Sequence, residues 1–301
     1  MLEWFICPDK EIIPVQDCLK CIIKCRYGRT CLTRPTRVKI AEERVWSGEP
    51  STTQLLNGTM LEFLKLTNSY AIDPDSRMFA LLGTRHHEML HEMAKTLGLP
   101  SEVALTGDDK DIFDLLEQDE DGQWVLLDYK TWGSYRVAQA IGLVEIGKKP
   151  DPSGAVYKTS GKWGKAGSPK MVNVFQAMPQ QVDNTEAELQ LNRYRLLLKE
   201  KYGIDVVLMR IQATVRDGGL AVANSRGIDR NGIMIEIQML PDERVKAYFD
   251  AKRTDLLLAL AQGSWSIPCT NKESWDGVRC REYCDVWNFC PKGLLEHGGN
   301  Q

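Results

Sequence analysis

Nine cysteines lie near the two ends of this 301-residue chain, and its middle holds none. Five stand between positions 7 and 31 and four between 269 and 290, with 237 cysteine-free residues separating the groups. The groups echo each other. Cys7-x10-Cys18 matches Cys269-x10-Cys280, and Cys21-x3-Cys25-x5-Cys31 repeats Cys280-x3-Cys284-x5-Cys290 in full. Buried structural cysteines would follow a core periodicity and spread along the chain. Paired clusters point instead to metal or iron–sulfur ligation, because crowded thiolates need a cation to share.

The pattern divides the chain into a basic, cysteine-rich segment at 1–46, a body at 47–263 and a second cysteine segment at 264–301. Up to Lys39 the first segment carries eight Lys/Arg against four Asp/Glu. Hydrophobic content of 43% and charged content of 26% are ordinary for a soluble domain. A net charge of -3 argues against binding nucleic acid by bulk charge but leaves room for local basic patches. The opening MLEWFICPDKE lacks the basic and apolar regions of a signal peptide. No stretch approaches the roughly 20 apolar residues of a membrane span. A cytoplasmic protein with no membrane partner is expected, where disulfides rarely persist.

Within the body, SGEPSTTQLLNGTMLEFLK reads as one helix capped by Ser51 or Thr52. A second helix runs from about Met78 to Lys95 and stops at Gly98 and Pro100. Ile112–Leu116 and Trp124–Tyr129 read as a hairpin joined by an acidic turn containing Asp121-Gly122. Residues 146–182 read as a long loop; Lys148 to Lys170 has six lysines and one acid, Asp151, with Trp163 between them. That stretch is either a solvated surface loop or an arm over a polyanion, with Trp163 free to stack on a base. TEAELQLNRYRLLLKEKYG is a helix closed by Gly203, Val206–Val215 and Gly232–Leu240 are strands, and 241–262 is a helix. The order points to an α/β fold with a mixed central sheet flanked by helices.

Asp114 and Asp128 fall on the two adjacent strands, and Lys130 follows the second by two residues. Period-two geometry puts Asp128 and Lys130 on one face. A carboxylate pair with a lysine suits phosphodiester hydrolysis: the carboxylates hold hard divalent cations, and the lysine stabilises charge on the phosphate. The helix before them contains HEMLH, a match to the H-E-x-x-H pattern of zinc proteases, but the extended form fails at Ala94 and Leu97. A zinc protease is therefore a remote alternative. His86 points to another face and reads as structural.

Taken together these residues resemble the PD-(D/E)XK nuclease superfamily. The resemblance is to its RecB-type exonucleases, including the CRISPR-associated RecB-like nucleases and the AddB nuclease domain. GTRHHEMLHEMA supplies a helix with His87, IFDLL the first acid, Asp114, and VLLDYKT the pair Asp128 and Lys130. Gln190 and Tyr194 are similar to the QxxxY motif, and Cys280-x3-Cys284-x5-Cys290-Pro to the iron–sulfur cysteines. The match covers about residues 50–291. It implies a restriction-endonuclease-like core and a metal-dependent DNA nuclease, an exonuclease on single strands or ends. It further implies Mn²⁺ or Mg²⁺ on His87, Asp114 and Asp128, DNA contacts from Gln190 and Tyr194, and a 4Fe–4S cluster. Those relatives commonly place one cluster cysteine before the core; here the stretch just before it has none. Either Cys269 or an N-terminal cysteine folding back is then the fourth ligand beside Cys280, Cys284 and Cys290, and the short ten-residue loop favours Cys269. Cys7, Cys18 and Cys31, with Cys25 or Cys21, then form a second site for zinc or an iron–sulfur cluster. The basic residues around that second site suit DNA or a protein partner. The alternative from another class is a non-catalytic DNA-binding or assembly module.

Overall fold

The computed structural model describes residues 1–21, 31–107, 109–162 and 164–298. Cys25 and Trp163 lie outside the described residues. The N-terminal part comprises β1 (Leu2–Ile6), β2 (Ile12–Pro14), α1 (Val15–Lys20) and α2 (Arg34–Ile40). The body follows with α3 (Thr52–Leu56), α4 (Thr59–Thr67), β3 (Tyr70–Ile72), α5 (Met78–Thr96), β4 (Ser101–Thr106), β5 (Lys110–Gln118) and β6 (Trp124–Trp132). Next come α6 (Ser134–Ala140), β7 (Leu143–Pro150), β8 (Met171–Ala177), α7 (Thr185–Tyr202) and β9 (Val206–Val215). The chain closes with α8 (Ala221–Asn224), β10 (Gly232–Ile237), α9 (Asp242–Gln262), α10 (Val278–Glu282) and α11 (Pro291–Gly298).

The fold is α/β with a mixed five-stranded sheet in the order β10-β9-β6-β5-β4. Only β6 and β9 run parallel in it; the other neighbours are antiparallel. The parallel pair needs a long crossover, and α6, the β7–β8 hairpin and α7 provide it. Glu186 and Glu188 open α7, Lys199 and Lys201 close it, and Gly203 ends it at φ 68°, so charge and cap agree on its direction. One face of the sheet packs on α6 and α7 through Leu116, Leu126, Met209, Ile211, Leu191 and Leu198. The other face, with Leu115, Val125, Leu127 and Tyr129, packs on Leu90 and Ala94 of α5. The site therefore lies on the middle layer of three.

Two sequence expectations need correction. The single helix expected from Ser51 is two, α3 and α4, broken at Asn57-Gly58. Asn57 accepts from Arg279 at 2.6 Å and donates to Glu62 at 2.7 Å, and a Cβ at Gly58 would collide with the sulfur of Cys269. The tail docks in the break. The loop expected at 146–182 is largely the β7–β8 hairpin, whose pairing continues outward through Val156↔Pro169 and Gly161↔Gly164.

The N-terminal part is not separate from the body. β1 pairs parallel to β3, with Phe5 opposite Ile72, and Phe5, Cys7, Ile13 and Cys18 pack beside Met78 and Leu81 of α5. Among the described residues no helix is long and apolar enough to cross a membrane.

Candidate metal centre and cysteine clasp

Strand register builds the centre. Ser101 pairs with Leu115 and Val103 with Phe113, so Glu102 stands opposite Asp114. Leu115 pairs with Leu127, so the next step sets Asp114 opposite Asp128. Three carboxylates thus form a row across β4, β5 and β6. The named β5–β6 pairs stop at Leu115↔Leu127, and the Asp114 carboxylate accepts the N–H of Tyr129 at 2.6 Å. That bond fixes the Asp114 side chain and aims its second oxygen toward α5.

From α5, His87 Nδ1 lies 3.4 Å from Asp114 Oδ1 and 3.5 Å from Glu102 Oε1. Ligand atoms of His87, Glu102 and Asp114 all fall within 4.8 Å of one another. One nitrogen and two carboxylate oxygens suit a hard or borderline divalent cation such as Mn²⁺. The bonds to Asp114 and Glu102 push the His87 pKa up to about 10. Glu102 holds φ 51°, a left-handed conformation that long side chains rarely adopt. Such an outlier points to a functional constraint on that side chain.

Asp128 is 3% exposed, and Lys130 Nζ approaches its Oδ2 at 2.6 Å. Oδ2 has no well-directed hydrogen bond, so the contact is an ion pair. Burial raises the Asp128 carboxyl to about 6; Lys130 opposes the rise and Asp114 adds to it. Burial would lower Lys130, but Asp128 and Asp114 outweigh it and hold its ammonium above the ordinary value. The shared face expected for Asp128 and Lys130 is present.

The other expected residues take distinct places. His86 bonds Thr214 across 3.3 Å and sits edge-on to Tyr129, and burial lowers its pKa. His91 bonds Ser101 Oγ through Nδ1 at 2.7 Å and does not join His87 at the carboxylates, so the zinc-protease pair is not brought together. Tyr194 is 4% exposed, packs in the core and bonds Gln190 at 3.4 Å, leaving Gln190 as the more accessible of the two. Arg195 is tied to Asp242 at 2.6 Å. Glu102 has no motif in the sequence; only the β4–β5 register brings it in.

The C-terminal cysteines converge on the α4 end. Cys269, Cys284 and Cys290 pack with Met60, Leu61 and Phe63 of α4 and Leu256 of α9. The Leu61 N–H points at the Cys269 sulfur and the Val286 N–H at that of Cys284. Burial raises the thiols of Cys269 and Cys280 and pushes Cys284 up to about 11. Cys290 and Cys280 raise Cys269, Cys290 raises Cys280, and Cys280 and Cys269 raise Cys284, so the four sulfurs lie within electrostatic reach of one another. Only added positive charge would let all four ionise. At the other end, Cys7 and Cys18 are buried in one apolar cluster, and Arg37 donates to the carbonyls of Cys18 and Cys21. Cys31 is half-buried. Cys18, Cys31, Cys269, Cys280, Cys284 and Cys290 are free thiols.

No protein-family model matches the chain, and no curated protein matches it. A solved structure described as "Crystal structure of SSO0001" is similar at 14% identity and a TM-score of 0.43. The alignment covers 86% of this chain and 95% of that one.

Proposed function

We propose that the protein is a metal-dependent DNA nuclease, with a restriction-endonuclease-like core of the RecB type, acting on single strands or ends in the cytoplasm. One observation carries the reading: the row Glu102–Asp114–Asp128 across three strands, with His87 above it and Lys130 beside it. Glu102 takes the third place beside His87 and Asp114, and Asp128, expected there from sequence, lies outside that group. His87, Glu102 and Asp114, with Asp128 adjoining, would hold Mn²⁺ or Mg²⁺. Bound there, the cation would polarise a phosphate oxygen and lower the pKa of a water.

The chain's own groups supply the rest. Asp128 lies buried beside Asp114 and paired with Lys130, a place from which it would adjoin the cation and orient an attacking water. Lys130 holds that carboxylate in place and offers its ammonium to the charge growing on the phosphate. The Gln190 amide nitrogen donates to the Tyr194 hydroxyl, a bond that would hold the side chain for contact with the strand. Cys269, Cys280, Cys284 and Cys290 would hold a 4Fe–4S cluster that fastens the tail to α4. Among the described residues no three cysteine sulfurs lie within 4.8 Å of one another. Cys7, Cys18 and Cys31, with Cys21 or Cys25, are proposed as a second site for zinc or a cluster, and the basic residues around them in sequence would suit DNA or a protein partner.

The test is cleavage of a fluorescent single-stranded oligonucleotide with and without Mn²⁺. Wild-type protein should cut only with metal, and Asp114→Asn should not cut. An inert wild type, or an Asp114→Asn variant that cuts at the wild-type rate, would overturn the assignment.

A further inference from the structure

Beyond Lys130, where β6 and β9 end side by side, three arginines lie on three aromatic rings. The Arg136 guanidinium sits 4.7 Å from the Trp132 ring centre, Arg216 lies 4.5 Å from Phe79, and Arg226 lies 5.7 Å from Tyr135. The pairs come from α5, β6, α6 and the turns flanking α8, gathered because Trp132 pairs with Val215 and Arg216 N–H donates to the Trp132 carbonyl at 2.8 Å. Asp217 secures the junction by accepting from the Ser134 N–H and hydroxyl, each at 2.6 Å, and it lies 3.5 Å from Arg226. Phe79 and Tyr135 are 61% and 62% exposed. Folding makes little use of these two rings.

The β7–β8 hairpin rises from the same place. Leu143 and Phe175 at its root press against Gly227, where any Cβ would fall within 2.8 Å of both side chains. Asn173 Nδ2 ties the hairpin to the Ser225 carbonyl at 3.3 Å. Its outer part carries six lysines against one acid, Asp151, whose carboxylate is taken up by the N–H and hydroxyl of Ser153. Basic charge therefore continues from the arginine rim onto the arm.

We propose that this rim and hairpin form a track for single-stranded DNA leading to the carboxylate row. The location beside the catalytic centre rests on the nuclease reading above. A single strand alternates phosphates with unstacked bases, and the rim alternates guanidinium groups with exposed rings. A duplex hides its base faces, so Phe79 and Tyr135 would have nothing to stack on. The distance suits the role: Trp132 is four residues along β6 from Asp128, about 13 Å at strand rise, or a couple of nucleotides.

Binding of a labelled oligothymidylate to the full chain, followed by anisotropy across a salt series without Mn²⁺ or Mg²⁺, tests this. An Arg136→Ala/Arg216→Ala variant should flatten the dependence of log K on log salt by about 0.7 for each phosphate no longer neutralised. Tyr135→Ala should weaken binding about tenfold at every salt concentration, because a base loses its stacking platform, while Tyr135→Phe binds like wild type. Three results would each overturn the track: no binding by wild type, an unchanged salt slope in the double arginine variant, or duplex bound as tightly with Tyr135→Ala indistinguishable from wild type. Binding that follows this pattern in a protein unable to cut with Mn²⁺ would remove the nuclease reading and keep the track. Cutting with unaltered binding in the rim variants would do the reverse.

Discussion

Glu102 stands across the β4–β5 ladder from Asp114, and both carboxylates reach the same ring nitrogen of His87, at 3.5 Å and 3.4 Å. Three side chains from a helix and two strands therefore share one point. Glu102 reaches it with a backbone at φ 51°, a conformation that costs about 1–2 kcal/mol for an L-residue. The strain is tolerable only because the neighbouring ladder residues on both sides hold their register.

Replacing Glu102 should therefore separate stability from metal binding. Asparagine accepts the left-handed region more readily, so Glu102→Asn should recover about 1 kcal/mol of backbone strain while giving up one charged partner of His87, and the melting temperature should change little. The same change removes a ligand and should weaken Mn²⁺ binding about tenfold or more. Thermal melts and Mn²⁺ titration followed by electron spin resonance measure both. Wild-type Mn²⁺ affinity in this variant would remove Glu102 from the centre.

His87 makes a prediction about pH. Its folded pKa, near 10, lies above the value of about 6.5 expected in the unfolded chain. The folded state binds the extra proton, so this stabilisation is complete below about pH 6.5 and is lost as pH rises through 10. Metal-free protein should thus lose stability across that window, and His87→Gln should lose less. Metal competes with the same proton, so Mn²⁺ affinity should rise with pH and binding should release protons. Calorimetry in buffers of different ionisation enthalpy detects the release. Binding with no proton release between about pH 7 and 8 would place the metal elsewhere.

How much of this was readable in the chain depends on the range of the information. Local periodicity is enough to put Asp128 and Lys130 on one face, to join β5 to β6 through the turn at Gly122, and to end α7 at Gly203. Glu102 is different. SEVALT has no motif, and its glutamate enters the centre only through pairing with a strand that follows it. The β7–β8 hairpin was hidden because a tip of about 20 residues, rich in Gly and Lys, separates two short alternating runs. The break at Asn57-Gly58 carried a turn signal, an Asn-Gly pair, inside an otherwise helical pattern. The arginine rim collects residues from four separated elements, and no window of sequence contains it.

The Asp128–Lys130 pair predicts a stability cost distinct from any loss of activity. Lys130→Met would leave a carboxylate 3% exposed without its counter-charge. Breaking one side of a buried pair typically costs about 3–5 kcal/mol. Adding Asp128→Asn should restore much of that loss, because the charge left behind is gone. Denaturant unfolding of the single and double variants measures the coupling. Additive losses would show that the two groups do not stabilise each other in the folded protein.

The last prediction concerns the tail. Cys269 rests where the chain breaks between α3 and α4, and a methyl at Gly58 would occupy the space of its sulfur. The helix itself would tolerate alanine, since Gly58 holds an ordinary φ of -64°. Gly58→Ala should therefore leave α4 intact while pushing Cys269 away from the Leu61 N–H and from the other three sulfurs. If those four cysteines share one cluster, the variant should lose most of its iron and visible absorbance and melt at a lower temperature, as Cys284→Ser should. Glu102 and Asp114 lie on the central sheet and not on α4, so the variant that remains folded should still bind Mn²⁺ at His87. Metal analysis, an absorption spectrum and a Mn²⁺ titration on one preparation separate these effects. Full iron content in Gly58→Ala would show that Cys269 is not a ligand, and the fourth thiolate would then have to come from the N-terminal group.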